Sequence, residues 1–130
     1  MNITPERKEE LIKFASSFGL EFEDFNTLNR AFVHTSYIHE KNLDVMESYE
    51  RLEFLGDAVL KIAISDFLFK KFPDLREGDL TKHRAWVVSD KELAVLAVKC
   101  GLSNLILLGK NEESLNGRQK PSILACAFEA

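Results

Sequence analysis

One long apolar stretch, from Glu50 to Lys71, constrains the fold of this chain more than any other segment. Its apolar residues recur at helical spacing and cover an arc too wide for a single stripe. Pro73 ends the pattern, because proline lacks the backbone N–H that a helix interior needs. A helix that is apolar over most of its surface is normally buried. The sequence therefore predicts a long central buried helix that other elements surround.

Three carboxylates lie on one stripe of this predicted helix, those of Glu50, Glu53 and Asp57. They stand at i, i+3 and i+7, which places them within an arc of about 60°. Like charges on one stripe repel each other. A helix keeps them either because they are solvated or paired with Lys and Arg, or because a cation binds there. Carboxylate oxygens are the ligands that a hard divalent ion such as Mg²⁺ prefers. The spacing alone leaves both explanations open.

A second set of site residues is predicted in ILACAFEA, at the end of the sequence, where a helix is expected to begin near Ser122. Glu129 follows Cys126 by three residues and so lies on the same helix face. Two helices that each present inward acids can build a metal site between them. Such a site can activate water and stabilise a departing oxyanion, which phosphodiester hydrolysis requires.

The rest of the chain also has the pattern of helices joined by polar loops. Further helices are predicted over residues 5–18, 27–34, 79–88 and 90–100, and loops over residues 34–48 and 109–120. Nothing predicts a strand. The fold class is therefore all-α, in a chain of 130 residues that is long enough for one domain with its own core.

Composition and motif spacing argue against several function classes. The net charge of −4 disfavours indiscriminate nucleic-acid binding. The apolar runs are too short for a membrane span, and the N-terminus has no apolar signal core, which predicts a cytoplasmic protein. Cys100 and Cys126 form no CxxC pair, so we expect reduced thiols. The histidines lack the spacing of paired metal ligands on a helix.

The stretch ERLEFLGDAVL resembles the signature of the ribonuclease III family, and the resemblance covers nearly all of the chain. AFVHTSY (31–37) is similar to the family's first-helix region, and REGDLTKHRA (76–85) is similar to its middle helix. Residues 107–130 are similar to its second acidic motif and the loop before it. The motifs occur in the family's order, which makes the resemblance specific to the catalytic domain. It implies an all-α, endonuclease-domain-like helical bundle, in agreement with the helical patterns.

The resemblance implies roles for five acidic residues. Glu53, Asp57 and Glu129 match metal ligands, and Glu50 matches an acid beside the site. Glu77 matches an acidic position that takes part in RNA cleavage, although the helix dipole alone also favours an acid at a helix N-terminus.

The resemblance also implies a reaction and partners. Family members are homodimers that bind double-stranded RNA across a shared valley. They use Mg²⁺, for which Mn²⁺ is a possible substitute, to hydrolyse one phosphodiester on each strand, leaving 5′-phosphate and 3′-hydroxyl ends. Phe54 matches an aromatic residue that packs into the partner subunit, although an ordinary core residue would also be apolar.

Three features depart from the family pattern. Cys126 stands where the motif ADAFEA has an aspartate, and a thiol is a soft ligand that suits Mg²⁺ poorly. We therefore expect impaired metal affinity and turnover, and the residue's own pattern predicts a small buried hydrophobe. The chain is also expected to be truncated within its last helices. We also expect no double-stranded-RNA-binding domain, so RNA binding should be weaker and more salt-sensitive.

The leading hypothesis is a ribonuclease III-type endonuclease domain, spanning residues 1–130, with a Mg²⁺ site on Glu53, Asp57 and Glu129. The complete set of acids in the signature favours it. The alternative, which Cys126 favours, is an inactive ribonuclease III-like module that binds structured RNA or a ribosome. A purely structural helical dimer is a third possibility.

Overall fold

The computed structural model describes residues 3–130, which form eight α-helices joined by short connections. The helices are α1 (Pro5–Ser17), α2 (Phe25–Arg30), α3 (Thr35–Lys41), α4 (Glu50–Lys71), α5 (Glu77–Val87), α6 (Asp90–Lys99), α7 (Lys110–Ser114) and α8 (Pro121–Glu129). No strand forms in this range, where Val33 and Leu107 make an isolated bridge. The all-α class is confirmed. None of the helices among these residues is long and apolar enough to cross a membrane.

Two polar segments that were predicted as loops contain helices, so those predictions are wrong. Residues 34–48 include α3, which begins where the imidazole of His34 accepts a hydrogen bond from the Ser36 N–H. The helix predicted over residues 27–34 is shorter and starts earlier, because the Asp24 carboxylate caps α2. Residues 109–120 include α7. Polar composition did not reveal α3, because the His34 imidazole satisfies a backbone N–H group at the start of that helix.

The hydrophobic core lies among α1, α2, α6 and α8. Leu11 from α1 and Ala97 from α6 are fully buried, and Leu124 from α8 is nearly so. Helices α6 and α8 pack along each other more extensively than any other pair in the described chain. This packing fixes α8, and α4 crosses α8 on one side of the core.

The burial predicted for α4 is wrong within the single chain. Of its side chains only Leu68 is buried, and Phe54 is 84% exposed. The other large apolar side chains that α4 exposes are Leu55, Val59, Ile62, Phe67 and Phe69. Helices α5 and α8 supply the main contacts of α4 and leave the remaining apolar surface uncovered. An apolar pattern predicts that a helix will be buried, but it does not specify whether the cover comes from the same chain.

Candidate functional site

The site begins with a close crossing of α4 and α8 at Gly56. A Cβ atom at this position would lie 1.6 Å from the carbonyl oxygen of Glu129 and 2.6 Å from its carbonyl carbon. Both atoms belong to the backbone of α8, so a side chain could not be accommodated by a rotamer change. The absence of a side chain at Gly56 therefore lets the end of α8 lie directly against α4.

An acidic groove of about 380 Å³ lies between α4 and the end of α8, beside this crossing. The groove is lined by Glu50, Glu53, Phe54, Asp57 and Glu129. The structure thus brings together four of the acids predicted from sequence, three from α4 and one from α8. The sequence patterns placed three of them on one stripe, but only the crossing of the helices adds Glu129.

The surroundings of Glu129 in the groove affect its protonation. Partial burial raises the pKa of its carboxyl group to about 6, and the negative charges of Asp57 and Glu53 add to this increase. Desolvation and like charges both disfavour an ionised carboxylate. A divalent cation among these oxygens would relieve the repulsion.

Cys126 is half-buried on α8, where its thiol hydrogen-bonds Glu53. Burial raises the pKa of its thiol to about 12, with further contributions from a hydrogen bond to Glu53 and from the charge of Glu129. The thiol is therefore protonated at neutral pH and is a poor ligand for a hard cation. The nearly buried Tyr49 adjoins it, and burial together with the nearby Cys126 raises the pKa of the Tyr49 hydroxyl.

Two further charged side chains act on the groove, and sequence reasoning did not single out either. Asp90, the first residue of α6, contributes to the raised pKa values of Glu129 and Cys126. No sequence pattern indicated Asp90, since only the packing of α6 on α8 brings it near. Lys61 forms an ion pair with Asp57, with Nζ 2.7 Å from Oδ2. The i,i+4 spacing on α4 was the signal for this pair.

Glu77 is not brought into the acidic groove. It lies exposed at the start of α5 and lines a separate groove of about 830 Å³ between α4 and α5. Its Oε1 atom accepts a hydrogen bond of 2.8 Å from the Thr81 hydroxyl within the same helix. The single chain therefore separates Glu77 from the other predicted site residues.

The donor atoms of the groove fit a hard divalent cation in part. The carboxylates of Glu53, Asp57 and Glu129 offer the oxygen ligands that Mg²⁺ prefers, whereas the Cys126 thiol does not. Among residues 3–130, no three His, Cys, Asp or Glu side chains already stand in positions to hold an ion. Asp57 is engaged with Lys61. Metal binding would therefore require these side chains to reorient.

Comparison with known proteins assigns the chain to a family. A family model described as "Ribonuclease-III-like" matches residues 24–130. The chain belongs to the ribonuclease III family. This ribonuclease III chain is 45% identical to the Ribonuclease 3 of Staphylococcus haemolyticus over 123 residues, covering 95% of the chain and 50% of that protein. It is 49% identical to the Ribonuclease 3 of Enterococcus faecalis over 113 residues, covering 87% of the chain and 49% of that protein.

The ribonuclease III chain spans about half the length of the curated relatives it matches. Its fold matches the nuclease domain of ribonuclease III from Campylobacter jejuni with a TM-score of 0.82 and 42% identity, covering 90% of this chain and 78% of that one. That structure is described for flexibility in a region involved in dimer formation. A second structure of the same domain gives a TM-score of 0.77 and 38% identity, covering 98% and 79%. The bundle is therefore a ribonuclease III nuclease-domain fold.

Proposed function

We propose that this chain is the endonuclease domain of a ribonuclease III-type enzyme and that it hydrolyses phosphodiester bonds of double-stranded RNA to leave 5′-phosphate and 3′-hydroxyl ends. The observation that carries the proposal is the acidic groove, in which Glu53 and Asp57 of α4 face Glu129 of α8. Membership of the family supports the substrate class. The domain is proposed to span residues 1–130.

In this proposal Glu53, Asp57 and Glu129 hold Mg²⁺, and Mn²⁺ can replace it. When bound, the ion supplies activation of a water molecule and stabilisation of the departing oxyanion. Glu50 lines the same groove and adds negative charge near the ion. Cys126 keeps its proton and hydrogen-bonds Glu53, so it positions a ligand rather than serving as one.

The active form is proposed to be a homodimer. The support is the uncovered apolar surface of α4, on which Phe54 is the most exposed large apolar side chain of the described chain. Exposed apolar patches of this kind are typical of interaction surfaces. Glu77 has a part in this scheme only if the partner subunit or the RNA bridges the separate grooves that hold Glu77 and the other acids.

An RNA cleavage assay tests this function. The parent, Cys126→Asp and Asp57→Asn proteins are incubated with a long RNA duplex and either Mg²⁺ or Mn²⁺. Asp66→Asn is the matched control, because Asp66 also pairs with a lysine on α4 but lies outside the acidic groove. We expect cleavage by the parent, faster cleavage by Cys126→Asp, normal cleavage by Asp66→Asn and none by Asp57→Asn.

The same assay separates the alternative function, a catalytically inactive module that binds structured RNA or a ribosome. The observation in its favour is the protonated Cys126 thiol in the position of the family aspartate. Duplex binding without cleavage by the parent or by Cys126→Asp would support the module. Cleavage only after Cys126→Asp would identify a nuclease site disabled at one position.

A further inference from the structure

The ion pair between Lys61 and Asp57 engages one carboxylate oxygen of a proposed metal ligand. The Lys61 ammonium lies 2.7 Å from Oδ2 of Asp57, and the two side chains are 50% and 37% exposed. The same ammonium also acts on Glu129, where it opposes the effects that raise the pKa of that carboxyl group. The positive charge of Lys61 therefore acts on one acid of α4, Asp57, and on one acid of α8, Glu129.

A second ion pair on α4 has the same chemistry in a different place. Lys70 and Asp66 are also four residues apart, and their charged atoms lie 2.8 Å apart. These side chains are 72% and 59% exposed, and neither lines the acidic groove. The Lys61 pair thus differs from the other ion pair of the same helix because its carboxylate, that of Asp57, lines the acidic groove.

We propose that Lys61 is an internal counter-ion of the acidic groove, which must leave Asp57 before a divalent cation binds there, and that it thereby lowers the groove's affinity for the cation. The inference rests on the proposed metal site. Lys61 has room to move, because it lines the separate groove between α4 and α5. An exposed lysine–carboxylate pair is weak, so its loss should raise the metal affinity by about two- to fivefold.

Mn²⁺ binding measures this effect without requiring cleavage. Free Mn²⁺ is followed by electron paramagnetic resonance during titration of the full chain. We expect Lys61→Met and Lys61→Gln to bind Mn²⁺ about two- to fivefold more tightly than the parent. Lys61→Arg keeps the charge and should not bind more tightly. Lys70→Met removes the same charge from the same helix and should bind like the parent.

Asp57→Asn makes the possible failures distinguishable. If the parent binds Mn²⁺, Asp57→Asn weakens the binding, and neither Lys61→Met nor Lys61→Gln binds more tightly, the role of Lys61 is refuted while the metal site stands. An equal gain in Lys70→Met would refute it too, since the effect would be one of general charge. If no variant shows Mn²⁺ binding that depends on Asp57, the proposed metal site fails and the role of Lys61 fails with it.

Discussion

Replacing Gly56 with alanine tests the helix crossing on which the acidic groove depends. The new Cβ would start 1.6 Å from the Glu129 carbonyl oxygen, whereas ordinary contact begins at 3.4 Å. The two helices must therefore separate locally by about 1.8 Å, the difference between these distances. The contact is with backbone, so only a displacement of α4 or of the last turn of α8 can relieve it.

Two opposing terms determine the effect on stability. Alanine is favoured over glycine in a helix interior by up to about 1 kcal/mol. Overpacking of this kind costs about 1–3 kcal/mol, and the last turn of α8 limits the cost if it yields. We expect Gly56→Ala to lower the free energy of unfolding by up to about 2 kcal/mol, measured by urea denaturation with circular dichroism. Because Glu129 moves away from Asp57, Mn²⁺ affinity should fall at least about tenfold.

Gly78→Ala is the matched control. Gly78 lies in the first turn of α5, and a Cβ atom there would meet nothing within 4 Å. This substitution should leave Mn²⁺ binding unchanged and raise stability by up to about 1 kcal/mol. If Gly56→Ala stabilised the protein as Gly78→Ala does and kept its Mn²⁺ affinity, α4 and α8 would not be in the contact described, and the reasoning would be refuted.

Three other predictions concern the core, the exposed helix face and the thiol. Arg7→Met should lower the free energy of unfolding in urea by about 1–3 kcal/mol, because the guanidinium donates to Asn29 Oδ1 at 2.8 Å and to the Leu105 carbonyl at 2.6 Å; an unchanged midpoint would contradict this. Phe54→Ala should change the stability of the isolated chain by less than about 0.5 kcal/mol. Analytical ultracentrifugation should show a dimer dissociation constant about thirtyfold higher than that of the parent, and a parent that stays monomeric would exclude the dimer. Cys126→Asp should bind Mg²⁺ about 10- to 100-fold more tightly in calorimetry, and equal affinity would show that the thiol does not limit the site.

Local sequence patterns determined the class of the fold and the part of the candidate site that lies on α4. Helix periodicity and the stop at Pro73 act within one segment, so the extent of α4 follows from sequence. The stripe of Glu50, Glu53 and Asp57 follows from the same periodicity. The polar segments that became α3 and α7 could not be predicted in this way. Their helices are joined by a hydrogen bond of 2.9 Å from the Gly109 N–H to the Ser36 hydroxyl, across 73 positions of sequence.

Tertiary structure decided how residues of α8 and α6 join the acids of α4 in the site. The approach of Glu129 to Asp57 depends on the contact of α8 with Gly56, and the influence of Asp90 depends on the packing of α6 against α8. The separation of Glu77 from these acids is equally a result of helix packing. Sequence periodicity determines which face of a helix a residue occupies, because that is a local property of the backbone. Which two faces meet depends on contacts between distant segments, and these exist only in the folded chain.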